Sequence, residues 1–282
     1  MEREAYVPRG TKPSRNRVPR ETSSPEEVVL AKSVAVVNQK GGVGKTTTAV
    51  NLACGLALAE KRTLLVDLDP QGNATTGLGV DKAGLQRTVY HVLLEDVPIT
   101  DVVVPSIISF LHLVPSDIDL VGAEIELVSQ DHREGRLKNS LAAVRETYDY
   151  AIIDCPPSLG LLTLNALAAA DSALVPLQCE YYAMEGLAHI IKTISLVRER
   201  LNPHLRVEGV VLTMFDGRTS LAAQVRAEAQ QHLGNQVLTT VIPRNIRLSE
   251  APSHGKPIML YDLRSAGSTA YLDLAREVIS HG

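Results

Sequence analysis

Residues 40–47 read Lys40-Gly41-Gly42-Val43-Gly44-Lys45-Thr46-Thr47. They stand between the apolar run Ser33-Val34-Ala35-Val36-Val37-Asn38 and a stretch, 46–60, whose apolar residues fall at Ala49, Leu52, Ala53, Leu56 and Ala57. The run at 33–38 is the pattern of a strand buried on both faces, and the spacing beyond it is the stripe of a helix. Strand, glycine-rich turn and helix in this order make a phosphate cradle. Glycines let main-chain N–H groups face phosphate oxygens with no side chain in the way, and the helix N-terminus adds its positive dipole end. Lys45 supplies a point charge for the β- and γ-phosphates, the Thr46 hydroxyl a ligand for Mg2+, and Thr47 a bond to the α-phosphate. The usual pattern has a glycine five residues before Gly44, where this chain has Gln39, and an additional lysine, Lys40, stands beside it. Charge on the γ-phosphate limits phosphoryl transfer, so Lys40 reads either as an extra stabilising cation or as a solvated surface lysine.

Working outward, short β-branched runs alternate with helical stretches. Strands are expected at 33–38, 62–67, 111–114, 150–154, 173–177, 207–213 and 237–242, with helices between most of them. That pattern predicts an α/β fold, a doubly wound, mostly parallel sheet flanked by helices. The second strand leads into Asp67-Leu68-Asp69-Pro70-Gln71-Gly72-Asn73, and strand alternation puts both carboxylates on one face, toward the ligand crevice. One orients an attacking water and the other the cation network; for Asp69 a helix N-cap ahead of Pro70 is the plainer alternative. Asp154 closes the strand Tyr150-Ala151-Ile152-Ile153-Asp154 before Cys155-Pro156-Pro157, the place of an acid that holds Mg2+ through water. Thr46 and Asp154 are thus the candidate metal residues, with Asp67 or Asp69 behind them.

The 282 residues carry a net charge of -4 that divides unevenly. Residues 1–24 hold Arg3, Arg9, Lys12, Arg15, Arg17 and Arg20 against Glu2, Glu4 and Glu21, so a basic segment precedes an acidic body. The composition of 1–32, rich in proline and polar residues, is that of a disordered arm, with 33–282 as one folded domain. The segment lacks the apolar core of a secretory signal, and no apolar stretch approaches the roughly 20 residues of a membrane span, so a cytoplasmic location is expected. Three cysteines, Cys54, Cys155 and Cys179, form no CxxC pair, and eight histidines show no ligand spacing.

The strings KGGVGKTT, DLDPQGN and DCPP, in this order, resemble the deviant Walker-A P-loop ATPases of the ParA/MinD class. EYYAMEG (180–186), TMFDGRT (213–219) and IPRNIRLSEAPSHGKPI (242–258) are similar to the ParA (Soj) chromosome-partition group within it, so the resemblance spans about residues 33–280. It implies Mg2+-dependent ATP hydrolysis and an ATP-bound sandwich homodimer in which Lys40 reaches the other protomer's nucleotide. It also implies that Asp69 is needed for hydrolysis, that Pro243 and Asn245 border the adenine, and that Arg218 and Arg247 hold double-stranded DNA. A ParB-like partner that stimulates hydrolysis, and a nucleoid association, follow from the same resemblance.

Charge supports the DNA assignment independently. Residues 213–256 contain Arg218, Arg226, Arg244, Arg247 and Lys256 against Asp216, Glu228 and Glu250, a basic stretch in an acidic body. Arg218, Arg226, Arg247 and Lys256 are the candidate DNA contacts; solvated surface cations are the alternative. Two other readings stay open. A MinD-like positioning ATPase is disfavoured because the last helical stretch carries Asp273 and Glu277 rather than a basic membrane-seeking face. A nucleotide-locked DNA-binding scaffold with little turnover is opposed by the presence of Lys40, Lys45, Asp69 and Asp154 together.

Overall fold

The computed structural model describes residues 1–2 and 31–281; the basic segment expected to form an arm lies almost wholly outside them. Among the described residues eight strands form one sheet: β1 Lys32–Val36, β2 Thr63–Asp67, β3 Val104–Pro105, β4 Leu111–Val114, β5 Tyr150–Asp154, β6 Ser172–Gln178, β7 Arg206–Phe215 and β8 Val237–Pro243. Their order across the sheet is β3-β4-β2-β5-β1-β6-β7-β8. Every neighbouring pair is parallel except β3 and β4. The chain winds both ways from the centre, so the crevice for a ligand falls outside the C-terminal end of β1.

The strands are apolar along their length because both faces are covered. Ala35 of β1, Leu64 of β2 and Ile153 of β5 face a layer with the helices Leu161–Ala169 and Ala183–Arg200. Val34, Val36, Leu65 and Ile152 face the opposite layer, with the helices Lys45–Leu58 and Ala266–Ser280. The stripe expected on the first helix, Ala49, Leu52, Ala53, Leu56 and Ala57, is fully buried there. Gly55 makes the approach of these two helices possible: a Cβ on it would stand 2.8 Å from the Cβ of Ala275. The last helix buries Tyr271, Leu274, Ala275 and Val278 against the body, so its apolar face is occupied. Among the described residues no helix is long and apolar enough to cross a membrane.

Strand limits differ from expectation by one or two residues at most ends. The missing strand is β3, two residues paired antiparallel at the sheet edge, where Pro105 is tolerated because an edge strand can leave an N–H position unpaired.

Candidate nucleotide site

The loop is built from the end of β1. Val37 N donates to Leu174 O at 3.0 Å, Asn38 Nδ2 donates to Pro176 O at 2.8 Å, and Asn38 Oδ1 accepts from Lys40 N at 3.0 Å. The chain then turns through Gly42 and Gly44, both left-handed at φ 76° and 90°, into the helix that starts at Lys45. Lys45 Nζ donates to Lys40 O at 2.9 Å, and Thr213 Oγ1 donates to Val43 O at 2.8 Å, so the loop is pinned from within and from β7. A Cβ added to Gly41 or Gly42 would meet no protein atom within 4 Å. The space in front of the loop is the cradle.

Behind the cradle three carboxylates converge. Asp67 and Asp154 are register partners on β2 and β5, both fully buried, and Asp69 is nearly so. Neither oxygen of Asp154 has a hydrogen-bond partner among the described residues. Burial, followed by the charge of Asp67, pushes its pKa well up, against the Thr46 hydroxyl and the Lys45 ammonium, which favour the ionised form. Burial also lowers the pKa of Lys45, countered by Asp154, Cys155 and Asp69. A buried carboxylate with two free acceptors beside a hydroxyl and an ammonium is a donor set suited to a hydrated divalent cation. Asp67 is differently employed: it accepts from Thr75 N and Thr75 Oγ1, both at 2.8 Å, and from Asp69 N at 3.1 Å, while burial raises its pKa to about 6. Asp69 does not cap the following helix, whose N-cap is Gly72; its Oδ1 accepts from Gln71 N at 2.9 Å.

On the other side of Gly44 and Thr47 opens a cavity of about 560 Å³, lined also by Pro243, Asn245, Thr213 and Tyr271. Pro243 ends β8 and Asn245 caps the short helix Ile246–Glu250, accepting from Arg247 N at 2.9 Å. Pro243 and Asn245, distant from the phosphate loop in sequence, thus share one pocket with it. Thr213 and Tyr271 were not singled out by sequence. Thr213 sits at an ordinary strand position, and Tyr271, bonded to Thr48 Oγ1 at 3.2 Å, reads as a core aromatic.

Lys40 stands apart from this cluster, half-exposed and ion-paired with Glu180. The basic candidates lie on separate elements. Phe215 of β7 pairs with Pro243 of β8, so the segments carrying Arg218 and Arg247 leave from adjacent strand ends. Arg218 grips Asp216 through Nε at 2.9 Å and an Nη at 2.7 Å; Arg247 pairs with Glu250 at 2.8 Å and with Asp262 at 3.5 Å. Arg226 is partly buried on the helix Ser220–Leu233. Lys256 lines a separate cavity of about 270 Å³ with Thr46, Thr47 and Asn73.

A family model described as an AAA domain matches residues 31–207. The sporulation initiation inhibitor protein Soj of Bacillus subtilis is 56% identical over 253 residues, 90% of this chain and 100% of that protein. The chromosome partitioning protein ParA of Myxococcus xanthus is 56% identical over 250 residues, covering 89% and 88% of the two chains. Among solved structures, a cobyrinic acid a,c-diamide synthase from Mycobacterium smegmatis with bound ATP analogue and magnesium is similar at TM-score 0.79 and 39% identity, over 89% of this chain and 96% of that one. The septum site-determining protein MinD of Pyrococcus horikoshii, complexed with Mg-ADP, is similar at TM-score 0.74 and 26% identity, over 88% and 96%. With a phosphate loop seated at the switch point of a MinD-like sheet and relatives this similar over nearly their whole length, the chain belongs to the Soj/ParA family of chromosome-partitioning ATPases.

Proposed function

We propose that the chain hydrolyses ATP with Mg2+ and converts its nucleotide state into a reversible grip on DNA. The observation that carries this reading is the pair of unpartnered, fully buried Asp154 oxygens beside Thr46 and Lys45, behind a loop whose Gly44 and Thr47 also line the 560 Å³ cavity. The amides of 41–47 hold the phosphates, Lys45 the β- and γ-oxygens, Thr47 the α-phosphate, and Pro243 and Asn245 border the base. Mg2+ fits Thr46 and, through water, Asp154; bound there it neutralises charge on the β- and γ-oxygens. Asp69 orients the attacking water, and Asp67, with its acceptors engaged, supports that loop rather than the cation.

Lys40 gives the ATP state its distinct consequence. Released from Glu180, it gains a γ-phosphate across a sandwich homodimer, a contact that ADP does not offer, and only such differential binding shifts an association equilibrium. The dimer doubles the basic surface around Arg218 and Arg247 and holds double-stranded DNA through its phosphates, with Arg226 and Lys256 as further contacts. A ParB-like partner that stimulates hydrolysis then releases the protein locally from the nucleoid. The test is nucleotide binding and turnover in two variants. Lys45→Ala should lose both, whereas Asp69→Ala should bind ATP and fail to cleave it. Wild-type turnover by Asp69→Ala would remove Asp69 from the chemistry.

A further inference from the structure

Asp69 is enclosed by a closed circuit of hydrogen bonds that begins and ends on its own main chain. Its N–H donates to Asp67 Oδ1 at 3.1 Å. The other Asp67 oxygen accepts from Thr75 N and Thr75 Oγ1, both at 2.8 Å. Thr75 Oγ1 in turn accepts from Ser116 N at 3.0 Å, and Ser116 Oγ donates to Asp69 O at 2.8 Å. Thr75 and Ser116 are both fully buried. The Thr75 hydroxyl donates once and accepts once here, so it is the joint that connects the Asp67 half of the circuit to the Ser116 half.

The circuit ties three elements to one residue. Asp67 ends β2, Thr75 lies in the helix Asn73–Gly77, and Ser116 follows β4, the next strand outward. Gly72 extends the same fit: at φ 59°, a Cβ on it would stand 2.8 Å from Ser116 O. The loop from Asp69 to Gly72 therefore rests on Ser116 at both ends. Neither Thr75 nor Ser116 lines the 560 Å³ or the 270 Å³ cavity beside the phosphate loop. Their side-chain oxygens are directed at Asp67 and Asp69.

We propose that Thr75 and Ser116 are positioning residues for hydrolysis, fixing the N–H and C=O of Asp69 so that its carboxylate meets the attacking water at a constant place. The inference rests on the reading of Asp69 as the residue needed for cleavage. A misplacement of about 1 Å in such a group costs up to about 100-fold in rate, and loss of an interaction made only in the transition state lowers kcat with KM unchanged. The circuit is thus a kcat device and not a binding device.

The experiment measures ATP turnover and nucleotide affinity of the full chain, with double-stranded DNA present, for Ser116→Ala, Thr75→Val and Thr75→Ser, alongside Asp69→Ala. Thr75→Val keeps the shape and removes the hydroxyl, and Thr75→Ser keeps the hydroxyl and removes only a methyl. Ser116→Ala and Thr75→Val should lower kcat by about 10- to 100-fold with KM and ATP affinity unchanged, and Thr75→Ser should stay close to wild type. Melting curves verify that each variant is folded; should Ser116→Ala not fold, the two Thr75 variants decide. Wild-type kcat in Thr75→Val overturns the proposal, as does a loss in Thr75→Ser equal to that in Thr75→Val. A KM rising in step with the loss of rate also overturns it. Wild-type turnover by Asp69→Ala is a different failure, because it removes the underlying assignment of Asp69.

Discussion

Two glycines of the phosphate loop separate folding from ligand binding. Gly44 is at φ 90°, where a side chain brings its Cβ too close to neighbouring main chain, at about 1–2 kcal/mol. Gly41 carries no such conformation, and a Cβ there meets no protein atom within 4 Å. Gly44→Ala is therefore expected to lower stability by about that amount, read as a drop in the denaturation midpoint, in addition to weakening nucleotide binding. Gly41→Ala should leave the midpoint unchanged and still bind ATP poorly, because its methyl fills the cradle. Equal midpoints in the two variants would mean that the left-handed turn is not under strain. At this scale the sequence was informative about chemistry and silent about support. Lys45, Thr46, Asp69 and Asp154 were legible as candidates because few other purposes set a lysine and a threonine at a helix start behind a glycine-rich turn and carboxylates at or just beyond the ends of nearby strands. Thr213, bonded to a residue 170 positions away, and Ser116, bonded to one 47 away, were not, because a buried hydroxyl looks the same in sequence whether it serves a site or a core.

The central strands were readable because a parallel strand covered on both faces must be apolar throughout, and β5 and β4 lie where the runs at 150–154 and 111–114 place them. β3 was not readable: two residues at an edge carry no periodicity. The opposite edge, β8, is closed by a device that only the structure reveals. Glu277, on the last helix, accepts from Thr239 N at 2.7 Å, Thr239 Oγ1 at 2.8 Å and Thr240 N at 2.9 Å, capping N–H groups that an edge strand otherwise exposes to another chain. Burial opposes its charge, but the bonds from Thr240 and Thr239 outweigh that, and the carboxyl lies below its ordinary value. A depressed carboxyl contributes stability that is present above the unfolded-state value, near pH 4.3, and is lost as pH falls through the folded one. Glu277→Gln should cost on the order of 1 kcal/mol at pH 7, a modest figure because the group is partly exposed. Chemical denaturation at pH 7 and pH 3 checks this. The gap between wild type and variant should narrow at the lower pH, and a gap independent of pH would assign the effect to packing.

For the molecule as a whole, the proposed function turns nucleotide state into DNA affinity, and both proposed steps begin by opening an ion pair. Lys40 is paired with Glu180, and Arg218 and Arg247 are held by Asp216, Glu250 and Asp262. Asp216 feels its arginine strongly enough to be lowered to about 2. On opening, Lys40 gains a γ-phosphate in the proposed dimer; Asp69→Ala, which retains ATP, should therefore sediment as a dimer with ATP and as a monomer with ADP. Equal mass in both would exclude the γ-phosphate as the trigger.

In the proposed DNA complex, phosphates compete with Glu250 and Asp262 for Arg247, so the local carboxylates set the affinity as much as the arginine does. Each phosphate neutralised releases counterions, and the logarithm of the binding constant falls linearly with the logarithm of salt concentration, by about 0.9 per contact. Arg247→Glu should abolish retention of double-stranded DNA by the ATP-bound chain while leaving ATP binding and dimerisation intact. Glu250→Gln removes the nearer competitor and should tighten DNA binding, with no loss of salt slope. The two variants move in opposite directions if the Arg247 cluster faces the DNA phosphates. Filter binding of wild type and both variants, across a series of salt concentrations with ATP, reads the sign. Retained affinity and slope in Arg247→Glu, or weaker binding in Glu250→Gln, would place the DNA surface elsewhere, with the basic residues of 1–24 the next to be exchanged.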